Sequence, residues 1–192
     1  MRPAPFPVVL DANVLIPVSL CDVLLLAADE GLIQVYWTEE ILEEVRRNLI
    51  EQIGLTAAQA DRRVSAMRRH FPEAMVSGYE RLVPAMTNHP KDRHVLAAAV
   101  HVGAQTLVTN NLRDFGADHL PRAMQAQDAD TFLQNLLSQS PSTMLELLRT
   151  QAEMLKNPPI TFPRLLDGLA KSVPNFISEV RELLPALPLE RP

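Results

Sequence analysis

A short apolar run, Val8-Val9-Leu10, ends on the carboxylate of Asp11, and the amide of Asn13 follows two residues later. The prolines at 3, 5 and 7 stop just before it, so the fold is expected to begin here. An apolar run flanked by breakers reads as a buried strand, and a strand buried on both faces suits a parallel sheet. In open α/β sheets ligands sit beyond the carboxyl ends of the strands, which puts Asp11 at the active edge. The useful question is which other polar groups the chain brings to that edge.

The next segments answer with an alternation of helices and strands. Leu20, Val23, Leu24 and Ala27 fall at helical spacing between Ser19 and Gly31, and Gly31 is placed to end that helix. Cys21 lies in this apolar stretch with no basic neighbour to stabilise a thiolate, so it reads as a buried structural thiol. Ile33 to Trp37 is β-branched and aromatic and reads as a second strand. Thr38 is placed to cap a helix whose first turn carries Glu39 and Glu40 and whose apolar side is Ile41, Leu42, Val45 and Leu49. Thr56 and Gln59 form a capping-box pattern for a helix burying Ala60, Val64, Met67 and Phe71. The other side of that helix shows Arg62, Arg63, Arg68, Arg69 and His70. With Arg46 and Arg47 this is the densest basic region, either a solvated face or a phosphate-contacting one.

Gly78 to Thr87 reads as a loop or a short strand around Leu82-Val83. Pro90 marks a boundary, and Asp92 sits at the first turn of a helix holding Val95, Leu96, Ala99 and Val100. Thr106 to Thr109 is a short strand running into the polar turn Asn110 to Phe115, and Ala123 to Ala126 reads as an edge strand. Asp128 or Asp130 caps a helix burying Phe132, Leu133, Leu136 and Leu137. The alternation predicts a three-layer α/β/α domain with a mostly parallel central sheet over residues 1–138. Residues 139–192 read as a C-terminal helical extension. Thr143 and Glu146 form a second capping-box pattern there, Asn157-Pro158-Pro159 ends the first helix, and shorter helices follow at 163–171 and 174–184.

Composition narrows the function classes. The chain has 192 residues, 47% of them hydrophobic, enough for a real core. One cysteine excludes an internal disulfide framework and makes a reducing compartment the default. No run approaches the roughly 18 to 20 apolar residues of a membrane span. The Pro-rich N-terminus lacks the apolar core of a signal peptide, so a cytoplasmic location is expected. The net charge of -5 argues against non-specific nucleic-acid binding, although an acidic metal site lowers the net charge while a local basic face still meets phosphates.

Four polar clusters fall where such a fold binds ligands: Asp11 with Asn13, Glu44, Asp92, and Thr109 with Asn111 and Asp114. Taken singly, Asp92 is explained as an N-cap and Asp114 as a turn former. Gathered at one edge, their carboxylates repel, and a divalent cation is the usual neutraliser. All-oxygen donors favour Mg²⁺ or Mn²⁺, and the five histidines show no HExxH or Cys/His spacing for zinc.

These residues resemble a known family. Val-Val-Leu-Asp11-Ala-Asn13-Val-Leu, Thr38-Glu-Glu-Ile-Leu-Glu-Glu44-Val, His89-Pro-Lys-Asp92-Arg-His-Val-Leu and Leu-Val-Thr109-Asn-Asn111-Leu-Arg-Asp114-Phe are similar to the ordered motifs of the PIN-domain ribonucleases, and within them the VapC-like toxins of type II toxin–antitoxin pairs. The resemblance spans about residues 8 to 137. It implies an endoribonuclease that hydrolyses RNA with Mg²⁺ or Mn²⁺, a cognate antitoxin protein that covers the site, and a homodimer. Carried over by position, Asp11, Glu44, Asp92 and Asp114 are the catalytic and metal-binding acids, and Asn13, Thr109 and Asn111 are supporting polar groups. Many members place an acid two residues after the threonine, where this chain has Asn111. Asp114, three further on, is the alternative fourth acid, and one metal or two stays open. The helical extension is expected to serve antitoxin binding or dimer contacts.

Two rivals share the pattern. A catalytically degenerate PIN-like module would bind RNA or protein without cleaving, a reading that the retention of all four acids opposes. An aspartyl-phosphate phosphatase would need a second acid where Asn13 stands. A dinucleotide site lacks the Gly-rich turn after the first strand.

Overall fold

The computed structural model describes residues 6–156 and 158–184. The prolines at 3 and 5 and the helix-ending Asn157 therefore lie outside the described residues, as does the tail beyond 184.

The first strand, β1 (Phe6–Leu10), is followed at once by a single helical turn, α1 (Ala12–Leu15), and by α2 (Val18–Asp29). Then come β2 (Ile33–Thr38), α3 (Glu39–Glu51), α4 (Ala57–His70) and the two-residue β3 (Met75–Val76). After two 3₁₀ turns the chain forms α5 (Arg93–His101), β4 (Thr106–Val108) and β5 (Gln125–Gln127). Four more helices follow among the described residues: α6 (Ala129–Gln139), α7 (Pro141–Met154), α8 (Phe162–Leu169) and α9 (Pro174–Leu183).

The five strands form one parallel sheet in the order β3-β2-β1-β4-β5. The fold is the expected PIN-like α/β/α class with added C-terminal helices. Val8, Val9 and Leu10 of β1 have no solvent exposure, as a central strand requires. The chain builds outward from β1 in one direction to β2 and β3, then crosses to build β4 and β5 on the other side. That reversal makes the space beyond the carboxyl ends of β1 and β4 the switch point where ligands bind in open sheets. Register fixes what stands there. Leu10 pairs with Val108, so the residues after each strand, Asp11 and Thr109, emerge side by side.

Local signals explain the elements around the sheet. Thr38 caps α3 by accepting from the Ile41 N–H at 3.1 Å, a bond of the kind worth about 1 kcal/mol. The Thr56–Gln59 capping box of α4 is formed in both directions. Gly31 ends α2 at a φ of 70°, which side-chain-bearing residues rarely adopt. Trp37 is fully buried and meets Phe71 edge-on at a centroid distance of 5.9 Å.

Contacts group the described residues into two compact units: residues 6–16 with 33–127, and residues 17–32 with the described residues from 128 to 184. This grouping and the linear cut at residue 138 divide the chain on different criteria. In the second unit α2 is linked to α7 by the Gln151 side-chain amide, which donates to the Ser19 carbonyl at 2.9 Å. Cys21 is a free buried thiol in α2. Asp128 caps α6 through the Thr131 N–H at 2.7 Å. Asp130 instead reaches the start of α9, accepting from the Asn175 and Phe176 N–H groups.

Two local expectations are corrected. The Thr143–Glu146 pattern is not a cap. Pro141 starts α7 two residues earlier, where a missing N–H costs nothing, and Thr143 lies inside the first turn. The segment around Leu82-Val83 is neither loop nor strand but a 3₁₀ turn over Glu80–Ala85. β3 was not anticipated, because two residues carry no readable period.

Candidate active site

The site begins with a hydrogen-bond network at the ends of β1 and β4. Asp11 is 5% exposed. Its Oδ1 accepts from the Ala12 N–H at 2.7 Å, which starts α1, and its Oδ2 accepts from the Asn13 amide at 2.6 Å and the Thr109 hydroxyl at 2.7 Å. Asn13 also donates to Thr109 Oγ1 at 3.0 Å, and its Oδ1 accepts from the Asn110 N–H at 2.9 Å. The Asn111 N–H donates to the same Thr109 oxygen at 3.0 Å. Asn13 and Thr109 thus fix one carboxylate rotamer and pin the turn after β4 to it.

A second cluster adjoins this network. Asp92 lies in the 3₁₀ turn Pro90–Asp92 just before α5, and its side chain makes no capping bond. Its carboxylate is therefore not spent on the helix. Asp114 lies in the 3₁₀ turn Leu112–Phe115. The Asn111 side-chain amide bridges the two, donating to Asp114 at 2.8 Å and to Asp92 at a longer 3.4 Å. His89, Asp92 and Asp114 each offer a ligand atom, and these atoms lie within 4.8 Å of one another. Donors about 2.1 Å from an octahedral ion stand about 4.2 Å apart across it, so this group matches the size of one cation site. Two carboxylate oxygens and an imidazole nitrogen suit Mn²⁺ and tolerate Mg²⁺.

The remaining acid comes from α3. Glu44 is half-buried, whereas Glu43 points out and pairs with Arg46 at 3.5 Å. A cleft of about 670 Å³ is lined by Glu40, Glu43, Glu44 and Asp92 together with Arg47, Lys91 and His94. His94 Nδ1 lies 2.9 Å from the Lys91 carbonyl. A carbonyl only accepts, so that nitrogen carries the proton.

The carboxylates differ in their readiness to ionise. Burial raises Asp11 above the ordinary aspartate value, opposed by the Thr109 and Ala12 hydrogen bonds and reinforced by the charge of Glu44. Burial also raises Asp92, with further pushes from the charges of Asp11 and Asp114 and from a hydrogen bond with Asp114. Asp114 moves the other way, held below its ordinary value first by the Asn111 amide. Within the Asp92–Asp114 pair Asp114 is therefore the first to ionise and Asp92 the second. Such mutual repulsion is what a bound cation would relieve.

All seven residues singled out in the sequence belong to this region. Asp11, Asn13, Thr109 and Asn111 form one continuous network that reaches Asp92 and Asp114, and Glu44 couples to Asp11 through charge. Asp11 and Glu44 are not in the tight donor group, and His89 is. The sequence offered one cue for His89, its position three residues before Asp92, where a proline-started turn brings the two to one side.

Comparison with known proteins agrees with this geometry. The PIN domain family model matches residues 7–113, and a VapC50 C-terminal domain model matches residues 129–182. A Mycobacterium tuberculosis protein carrying the provisional name ribonuclease VapC50 is 40% identical over 114 residues, which cover 59% of this chain and 68% of that protein. No solved structure matches. The parallel sheet, the acids beyond its central strands and the match over more than half of the chain lead to one assignment: this chain belongs to the PIN-domain family, with the VapC50-type C-terminal helices.

Proposed function

We propose that this protein is a metal-dependent endoribonuclease that hydrolyses RNA phosphodiester bonds and acts as the toxin of a toxin–antitoxin pair. The observation that supports this most is the continuous network from Asp11 through Thr109 and Asn111 to Asp92 and Asp114. A purely structural set of acids would be capped, ion-paired or exposed. Here Asp11 caps α1 through Oδ1 but is buried, with its Oδ2 held by Asn13 and Thr109, and Asp92 is left out of the cap it precedes.

In this reading Mg²⁺ or Mn²⁺ is the cofactor, held by Asp92 and Asp114 with His89 as an added donor, and with Asp11 and Glu44 supplying further negative charge. When bound, the cation supplies Lewis acidity toward the scissile phosphate. The residues of the chain do the rest. Asn13 and Thr109 hold the Asp11 carboxylate in place, Asn111 spaces Asp92 from Asp114, and Asp92 orients the attacking water or accepts its proton. A relative named as a ribonuclease supports the reaction class. The antitoxin, the homodimer and a cytoplasmic location follow from the same family reading. No helix among the described residues is long and apolar enough to cross a membrane.

The test is cleavage of single-stranded RNA with Mn²⁺ by wild-type protein and by Asp11→Asn. The variant is expected to lose metal-dependent cleavage while keeping its fold by circular dichroism. Undiminished cleavage by the variant removes Asp11 from the mechanism. A wild-type protein that neither binds Mn²⁺ nor cleaves any RNA supports the degenerate-module reading instead. A small reading frame overlapping the start of this one would favour the toxin role.

A further inference from the structure

The cleft lined by Glu44 and Asp92 has a difficulty of its own. Glu40, Glu43, Glu44 and Asp92 line it, and RNA is a polyanion. A cation at the metal site offsets charge at one phosphate only. The phosphates on either side still face carboxylates unless protein cations stand beside them.

Two cations meet that need. Arg47 and Lys91 line the same cleft. Arg47 follows Glu44 on α3 by one helical turn, so the two share a face. Lys91 precedes Asp92 in the turn before α5, on a different element. Both are exposed, and among the described residues neither side chain is engaged in an ion pair or hydrogen bond. That is notable beside three glutamates. Two arginines of the basic region, Arg46 and Arg68, contrast with Arg47 and Lys91. Arg46 is bound to Asp61 at 2.5 Å and also to Glu43, and Arg68 is bound to Glu39 through two nitrogens. Those cations are already neutralised on the α3–α4 surface. Arg46 and Arg68 are therefore spent there, whereas the cleft keeps one unengaged cation on each of two elements.

We propose that Arg47 and Lys91 are the RNA-backbone contacts of this cleft, each holding a phosphate that flanks the scissile one. The proposal rests on the nuclease reading above. Arg47 has the fork geometry for a bidentate phosphate contact, and Lys91 acts as a point charge. Such contacts position the strand and carry no sequence information, so the affinity they add is the same for every RNA sequence.

The test uses the full chain carrying Asp11→Asn, so that RNA survives the measurement. Fluorescence anisotropy of an end-labelled single-stranded RNA is followed from low to high salt. Arg47→Gln and Lys91→Gln are each expected to weaken binding several-fold at low salt. Each should also flatten the plot of log affinity against log salt by about 0.7. Their double variant should flatten it by about twice as much. Arg46→Gln and Arg68→Gln serve as controls and should leave the slope as it is. Slopes unchanged in Arg47→Gln and Lys91→Gln overturn the proposal, as does an equal flattening in the controls. Either result leaves the nuclease reading standing if wild-type protein cleaves RNA with Mn²⁺. Absence of that cleavage overturns both.

Discussion

The Thr109 hydroxyl donates to Asp11 Oδ2 at 2.7 Å, joining two residues 98 positions apart. The bond exists because β1 and β4 are adjacent and in register, with Leu10 opposite Val108. Thr109 is fully buried, and its oxygen also accepts from Asn13 and from the Asn111 N–H. Thr109→Val keeps the shape and removes this hub. The expected cost is about 1–3 kcal/mol of unfolding free energy, the usual penalty for stranding buried partners. Thr109→Ser should recover most of it. Urea denaturation of the three proteins measures this, and equal stability of Thr109→Val and wild type would remove the hub from the account.

A pH dependence follows from the opposed shifts of the acids. Asp11 and Asp92 are raised above their ordinary values, mainly by burial. Their contribution to folding stability is fully present below the unfolded aspartate value of about 3.9 and is lost as pH rises through their folded values. Asp114 is lowered, so its contribution is present above the unfolded value and lost as pH falls. With two raised groups against one lowered group, the metal-free protein should lose stability on going from mildly acidic to neutral pH. Metal requires the ionised acids, so the thermal shift produced by Mn²⁺ should grow over the same interval. Melting curves with and without Mn²⁺ from roughly pH 4.5, just above the unfolded aspartate value, to roughly pH 7.5 check both trends. A shift that stays constant across the interval contradicts them.

Asn111 is where the chain departs from the acid found in many PIN domains. Its amide separates Asp114 from Asp92, at 2.8 and 3.4 Å. Asn111→Asp replaces that donor with a third negative charge. The variant should be less stable than wild type without metal and should gain more from Mn²⁺. A variant as stable as wild type in chelator would show that the amide does not relieve the repulsion between the two acids.

Which parts of this were legible in the sequence follows from the range of the forces involved. The apolar run at Val8–Leu10, the capping residues Thr38 and Thr56, and Gly31 are local signals, and each acts within a few residues of itself. Asp11, Asp92 and Asp114 are legible because each follows or precedes an element end that can be read locally, whereas Glu44, inside α3, stands out only through the family motif. Their pairing was not readable. Nothing near Asn111 in sequence says that its amide spans Asp92 and Asp114, since that depends on β4 and α5 meeting at one edge. His89 is not legible as a ligand because it fits no zinc spacing, while its neighbours in space are the carboxylates of Asp92 and Asp114. Arg46 and Arg68 looked like part of a basic face, and only the packing of α3 on α4 reveals that acids already hold them. The Thr143–Glu146 pattern misled for a related reason: a proline two residues upstream starts the helix first.

The C-terminal helices offer a prediction independent of the acids. Asp130, on the first turn of α6, accepts from the Phe176 N–H at 2.7 Å and from the Asn175 N–H at 3.1 Å, with the Asn175 amide at 2.9 Å. It thereby satisfies the first N–H groups of α9, which Val173 at the N-cap position cannot do. A carboxylate at a helix N-terminus also meets the favourable end of the dipole. Asp130→Ala should therefore destabilise the protein by about 1–2 kcal/mol, in the range of a lost N-cap. Asp130→Asn, which keeps an acceptor oxygen but not the charge, should fall between the two. Hydrogen exchange localises the effect: the amides of Phe176 and Ile177 should lose protection in Asp130→Ala more than those of α7. Uniform loss across the helices would mean that Asp130 acts through global stability and not as the cap of α9.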